Sequence, residues 1–480
     1  MFDDTHVSGC PLALNRRRFL TGLGASALAM KMGLFDFASS LLAAEPKPPG
    51  KARIMAVFTR PDLDRYFMGW PGASYDIAAR QDQYTKVLRA AAERLDVELD
   101  LTDKPLSNPA DVDAFLERMK QAKPDGVVVT NMCLNSGWKP TNHFLDKRGE
   151  VPTVVFSPMG TSFTGHLQHS RKSTHAFVGA TQDVEWLGTA LQLLSTVWRM
   201  QHARICVVTG KKVEDKPLDP LGTTLHYVPH VRFEEELKKV EEGDEVRAIA
   251  DYYTKEAKRI VEPSKEDILN SAKNYVACRQ LIEAEKCQGI SINCLPLIGG
   301  KRIPCPPCMA FLRLLDEGSV GGCEADWNAA ISLRLTAYLC DRPGFMQDPA
   351  PNTVNGTLMG AHCTSPTRLD GFDKPHEPFI LRSHSESALG VSPQVLWRVG
   401  QKITLMKFEG PRKIILGTGR VLRNIDTPPS GGCHTSLECE VDGVADPRDV
   451  KGFHQLFIYG DLEHKFKAYC QLAGIEVVHI

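Results

Sequence analysis

The sequence predicts an α/β protein, with two doubly wound parallel-sheet domains followed by a C-terminal β-barrel-like domain. Three observations carry that expectation. The chain has 480 residues, 42% of them hydrophobic, and a single core stops growing at about 250 to 300 residues, so more than one core is needed. Up to about residue 350 short apolar runs alternate with helical patterns, the signature of a parallel sheet covered on both faces. Beyond Pro349 the pattern changes to short β-rich runs separated by Gly and Pro.

In chain order, a Pro/Lys-rich linker from Glu45 to Lys51 leads to an apolar run at Ile54–Phe58. Similar runs recur at Val97–Leu101, Val127–Thr130 and Val154–Phe156, each short enough to be a buried strand. Helical patterns at Gln81–Leu95 and Asp111–Lys120 separate them, giving a first domain over residues 50–170. After a helix at Glu185–Met200, the strand Ala203–Val208, a charged helical stretch at Phe233–Val261, a helix at Lys265–Glu285 and a strand at Gly289–Asn293 define a second domain, residues 171–350. The runs Ile403–Lys407, Lys413–Gly417, Gly419–Leu422 and Ser436–Val441 then make the β-rich domain of residues 351–480. No repeat of fixed period is present.

Residues 1–45 read differently. Asn15-Arg16-Arg17-Arg18-Phe19-Leu20-Thr21 precedes a weakly apolar run, Gly22 to Ala29, that is too short to span a bilayer. Paired arginines, Phe-Leu and a mildly hydrophobic segment resemble a twin-arginine export signal, cleaved between Ala38 and Ala44. The expected location is therefore the periplasm or cell envelope, with no stable membrane span.

With 57 basic and 58 acidic residues the formal charge is −1, which argues against nucleic acid, a ligand gripped by neutralising phosphates. Fourteen scattered cysteines do not form a compact disulfide framework and read as reduced structural thiols. Cys305-Pro306-Pro307-Cys308 lacks the helix-opening context of a thioredoxin site, and no second Cys-x-x-Cys completes a zinc site. Gly299-Gly300-Lys301 lacks the spacing of a phosphate loop. The aromatic loop Asp62–Trp70 sits where α/β folds place ligand loops, although packing is the better explanation of it.

The richest stretch runs from Asp316 through Gly322-Cys323-Glu324-Ala325-Asp326 and a helical run, Asn328–Leu339, to Asp341-Arg342-Pro343-Gly344-Phe345-Met346-Gln347-Asp348-Pro349. Two carboxylates, Glu324 and Asp348, frame a helix and a Pro-Gly turn. His362, in Gly360-Ala361-His362-Cys363-Thr364, and His454, in Gly452-Phe453-His454-Gln455-Leu456, each lie beside a β-type run. A lone Glu-x-Asp before a helix is commonly a dipole partner, and a lone His beside a strand a satisfied core residue. His384 and Glu386 read as loop caps as readily as pocket residues.

Taken together, Gly-Cys-Glu-x-Asp, Arg-Pro-Gly-Phe-Met-x-Asp-Pro, Ala-His-Cys-Thr, Gly-Phe-His-Gln-Leu-Phe-Ile-Tyr-Gly-Asp and the closing Leu472–Val478 resemble the L-fucose isomerase and L-arabinose isomerase family. The likeness covers the chain from about residue 50 onward and is sharpest from Asp316. It implies a site between the last two domains and a divalent metal, usually Mn²⁺. Position by position it places the metal carboxylates on Glu324 and Asp348 and a late histidine on His454. His362 takes the place of a further histidine used by the arabinose isomerase branch. It also implies a homotrimer or homohexamer whose sites are completed by a neighbouring subunit.

Those residue types suit aldose–ketose isomerisation through a cis-enediol, which needs a base at C2, a proton shuttle between O1 and O2, and an electrophile. Glu324 and Asp348 would exchange acid and base roles with the direction of reaction. The sugar falls in the L-fucose, L-arabinose or D-arabinose range. Two rivals stand beside this reading. One is an exported sugar-binding protein with the same fold and no turnover, and the other is a thiol-based redox protein built on Cys305 and Cys308.

Overall fold

The computed structural model describes residues 50–63, 65–67, 74–426 and 432–480. The twin-arginine motif and the cleavage region lie outside the described residues, as do part of the aromatic loop of residues 62–70 and the segment 427–431. Residues 45–480 form one compact unit.

A buried parallel sheet comes first. Strand β1 (Arg53–Thr59) is followed by a short hairpin, β2 (Arg65–Phe67) and β3 (Ser74–Asp76), and by helix α1 (Ile77–Leu95), whose N-terminus is capped by Asp76 accepting from the Ala79 N–H. Then come β4 (Glu98–Leu101), α2 (Pro109–Ala122), β5 (Gly126–Asn131), α3 (Asn135–Lys147), β6 (Thr153–Pro158), α4 (Leu167–Lys172), β7 (Ala176–Thr181) and α5 (Trp186–Gln201). The sheet order is β4-β1-β5-β6-β7, all parallel. Strand side chains alternate between two cores. Ile54, Ala56, Phe58, Val128 and Phe156 pack with α1 and α5, while Met55, Val57, Val127, Val129 and Val155 pack with α2 and α3. Continuous Val/Ile runs are what a strand buried on both faces requires.

The second sheet is mixed. Its strands are β8 (Arg204–Val208), β9 (Glu214–Pro217), β10 (Thr224–Val228), β12 (Gly289–Ile292) and β13 (Val320–Cys323), in the order β13-β12-β8-β10-β9, parallel except for the edge pair β9–β10. Between them lie α6 (His230–Lys239), α7 (Asp244–Glu256), β11 (Arg259–Ile260), α8 (Lys265–Ala284), α9 (Leu295–Gly299) and α10 (Cys308–Asp316). The expected single helical stretch at Phe233–Val261 is thus two helices broken at Gly243, followed by a short strand. Gly243 starts α7 in an extended conformation, and Asp244 and Glu245 favour the new N-terminus.

Helix α11 (Trp327–Cys340) leads into the barrel. Its strands are β14 (Phe345–Asn352), β15 (Thr357–His362), β18 (Lys402–Phe408), β19 (Lys413–Ile425), β20 (Thr435–Val441) and β21 (Gln455–Tyr459), and pairing between β18 and β19 closes the ring of six. Strand β16 (Phe379–Arg382) instead pairs with β11 on one side and with β17 (Ser392–Val395) on the other. Helix α12 (Glu463–Ala473) and β22 (Glu476–His479), which runs parallel beside β19, finish the chain. The runs at Lys413–Gly417 and Gly419–Leu422 are one strand. Gly419 continues it where the backbone of Glu440 lies 2.3 Å from where a Cβ would stand. No helix among the described residues is long and apolar enough to cross a membrane.

Candidate active site

Barrel register brings three of the four candidate residues to one rim. Strand β14 lies between β15 and β21, with Asp348 opposite Ala361 and Gln347 opposite Gln455. His362 follows Ala361 on one side, and His454 precedes Gln455 on the other. The fourth residue, Glu324, directly follows β13, at the carboxyl end of a parallel strand, where α/β sheets leave room for ligands. Glu324, Ala325 and His454 all have left-handed φ angles of 60°, 54° and 57°. For non-glycine residues such backbone costs on the order of 1–3 kcal/mol and is held by its surroundings; here it turns the chain sharply between β13 and α11 and again before β21.

Glu324, His362 and His454 each offer a ligand atom within 4.8 Å of the other two. His454 Nε2 stands 3.0 Å from Asp348 Oδ1 and 3.6 Å from Glu324 Oε2, and His362 Nε2 is 3.9 Å from Glu324 Oε1. The two rings meet edge to face at 5.5 Å. Both histidine side chains are 3% exposed, whereas Glu324 and Asp348 are 38% and 39% exposed, so the carboxylates can reach a molecule arriving from solvent.

His454 Nε2 and Asp348 Oδ1 are close but off the line of a hydrogen bond, and both are buried atoms without a hydrogen-bond partner. Buried polar atoms are rarely left so. A divalent ion held by carboxylate oxygens and imidazole nitrogens would satisfy both, and the donor set suits Mn²⁺ or a related cation. The residues present therefore fit a metal.

Asp326 supports this centre and was passed over by the sequence reading, which took Glu-x-Asp as a dipole partner. It caps α11 by accepting from the Ala329 N–H at 3.0 Å, and its Oδ2 accepts from His454 Nδ1 at 2.9 Å and from Lys407 Nζ at 2.9 Å. This is the carboxylate–histidine arrangement that fixes a ligand's tautomer and ring angle. Burial acts to raise the Asp326 pKa, but the His454 hydrogen bond and the Lys407 charge hold it far below the usual carboxylate range. Lys407, on β18, also donates to the Phe453 carbonyl, bracing the turn that carries His454. The signal for Asp326 was its place at a helix start; nothing local marked Lys407.

The histidines shift the other way. Burial works to lower the His454 pKa, yet Asp326 and Asp348 raise it above the ordinary value. Burial likewise opposes the shift at His362, where the Cys363 side chain and the Asp348 and Glu324 carboxylates bring it up to about 9.

The remaining candidates lie apart from this rim. His384 is buried with Nδ1 3.0 Å from Ser387 Oγ. Cys308 does open a helix, contrary to expectation, but Cys305 and Cys308 are 1% and 0% exposed, and burial pushes the Cys305 thiol up to about 11. Reactive thiols need exposure and a lowered pKa, so a thioredoxin-like role is not supported. All thirteen described cysteines are free. A cavity elsewhere, lined by Leu95, Trp198 and Tyr338, contains none of the four rim residues.

The chain is similar, at low identity, to sugar isomerases. It is 23% identical over 289 residues to a sulfoquinovose isomerase of Alkalicoccus urumqiensis, covering 54% of this chain and 63% of that protein. It is 31% identical over 137 residues to an L-arabinose isomerase of Halalkalibacterium halodurans, covering 27% of each. The matches thus span less than two thirds of either relative. No family profile matches the chain. A carbohydrate transporter from Acidothermus cellulolyticus 11B, solved with myo-inositol, is 13% identical over 61% of this chain and 88% of its own, with a TM-score of 0.20, too low to bear on fold or function.

Proposed function

We propose that this protein is a divalent-metal-dependent aldose–ketose isomerase, with Glu324, Asp348, His454 and His362 around the ion and Mn²⁺ as its metal. The observation that carries this reading is the convergence of these side chains from β13, β14, β15 and the start of β21, with His454 Nε2 and Asp348 Oδ1 3.0 Å apart and neither in a hydrogen bond. Similarity to two sugar isomerases supports the same reaction class.

When bound, the ion supplies Lewis-acid polarisation of the sugar carbonyl. Asp326 holds the His454 ring with Nε2 turned inward, and the buried rings keep water from that side of the site. The half-exposed Glu324 and Asp348 face the sugar. One takes the C2 proton and the cis-enediol is reprotonated at C1, while the other moves the O2 proton to O1, and the roles reverse with direction.

Further parts of this reading rest on the family resemblance and the N-terminal motif. The substrate is an L-fucose-, L-arabinose- or D-arabinose-like sugar. The chain comprises two doubly wound domains and a barrel domain, assembles as a homotrimer or homohexamer, and is exported by the twin-arginine route. A fusion of residues 1–45 to a reporter, exported only in cells with a working twin-arginine system, tests the last point.

The reaction is tested by supplying the protein, with Mn²⁺, a panel of aldopentoses and 6-deoxyhexoses and measuring ketose. Turnover abolished by chelator and by Glu324→Gln is the expected result. Sugar binding with no turnover on any aldose would replace the enzyme by a sugar-binding protein.

A further inference from the structure

A second group of ligating side chains lies beside the first and takes no part in the proposed reaction. Cys363 follows β15, Cys323 ends β13, Cys308 opens α10, Cys433 precedes β20 and His384 follows β16. Cys323 and Cys363 place their Sγ atoms 3.8 Å apart. Cys308, Cys363 and His384 are all buried, and each offers a ligand atom within 4.8 Å of the other two. Cys363 also groups with Cys323 and His362, and its Sγ lies 3.4 Å from His362 Nδ1.

Ordinary core packing does not require three thiols and an imidazole from four separate elements to gather around one point. Tetrahedral zinc does: with Zn–S bonds of about 2.3 Å, its sulfurs lie about 3.8 Å from one another. Local structure suits the same occupant. Cys308 stands at the first position of a nine-residue helix, which fixes its buried side chain beside Cys363, just after barrel strand β15. Ser387 Oγ engages His384 Nδ1 at 3.0 Å, the outer contact that commits the other ring nitrogen to a ligand. The ligands are soft where those of the rim are mostly hard, so the two groups select different ions.

We propose that Cys308, Cys363 and His384 form a buried structural site for Zn²⁺ that ties α10 to the barrel, with Cys323, whose Sγ lies 3.8 Å from that of Cys363, as the fourth ligand. It gives the Cys-Pro-Pro-Cys segment a role through Cys308 alone, and it abuts the rim, since Cys363 Sγ lies 3.4 Å from His362 Nδ1.

The test uses the full chain, stripped with chelator and reconstituted with Co²⁺ in the presence of excess Mn²⁺. The expected result is thiolate-to-cobalt charge-transfer absorption that Mn²⁺ does not displace and Zn²⁺ does. Cys308→Ser and His384→Ala should each lose most of it, and Glu324→Gln should keep it. Absence of the band in the wild-type chain, or its persistence in both cluster variants, overturns the proposal. X-ray absorption of the zinc-loaded wild type decides the matter even where a variant does not fold. Sulfur scatterers at about 2.3 Å uphold the site, and a shell of nitrogen and oxygen alone removes it.

Discussion

Asp326 concentrates three tasks in one carboxylate: capping α11, orienting His454 and pairing with Lys407. Asn is as good a helix cap as Asp, so Asp326→Asn keeps the fold while removing the charge that steadies His454. Loss of such an outer partner typically weakens metal binding about 10–100-fold, and titration of the stripped variant with Mn²⁺ should show a fall of that size. An unchanged affinity would mean that His454 is not a ligand. The histidines add a pH dependence. In the stripped protein His362 is held at about 9 against an ordinary 6.5, so its protonated form is favoured by folding. That stabilisation is complete below pH 6.5 and is lost as pH rises through about 9. The urea midpoint of the metal-free protein should therefore fall across this window. Metal affinity should rise over the same window, because only the neutral ring binds a cation. At this scale the sequence was legible for Glu324, Asp348, His362 and His454, which stand in recognisable local strings. It was not legible for Lys407, which reaches Asp326 only through the pairing of β18 with β21.

Strand β13 sets the position of Glu324, and its glycines are part of how it does so. A Cβ on Gly321 would stand 2.5 Å from the Cα and carbonyl oxygen of Phe311 in α10, backbone atoms that cannot swing aside. Gly321→Ala must push α10 and β13 apart, and overpacking of this kind costs about 1–3 kcal/mol. A lowered urea midpoint together with weakened Mn²⁺ binding is the expected outcome; lost stability with intact binding would show that the Glu324 turn is placed by α11 alone. Elements whose burial is plain in composition, such as Gly126–Asn131 and Thr153–Pro158, were legible because every residue of the run is apolar or small. Among the strands that were not legible, two show why. In Thr224–Val228 the central His226 breaks the apolar run, and its burial is possible only because Asp215 and Glu285 take its two nitrogens at 2.6 and 2.9 Å. In Ala176–Thr181, Gly179 masks the pattern, yet the ring of Trp186 occupies the place of its missing Cβ. Both signals are partners distant in the chain or in another element, which periodicity does not record.

Across the whole molecule, the proposed metal joins residues from the second sheet and the barrel, so its binding should be felt as global stability. A ligand at 100 times its Kd adds about 2.7 kcal/mol when it binds only the folded state. Mn²⁺ at that excess should raise the unfolding free energy by about this amount, and Asp348→Asn should abolish most of the gain; an equal gain in the variant would place the stabilising ion elsewhere. The barrel and parallel sheets were legible in outline because strand length and spacing follow from the backbone. Closure of six strands was not, since β18 meets β19 while β16 leaves to pair with β11 and takes β17 with it, a choice made by long-range packing. The most direct measurement is the position of deuterium in the product when an aldose that the protein converts is turned over in D₂O with Mn²⁺. Proton transfer by Glu324 and Asp348 requires solvent deuterium in the ketose at C1, and none formed by Glu324→Gln. Ketose that retains the substrate's C2 hydrogen in full, or turnover undiminished in Glu324→Gln, would contradict a carboxylate-driven isomerisation at this rim.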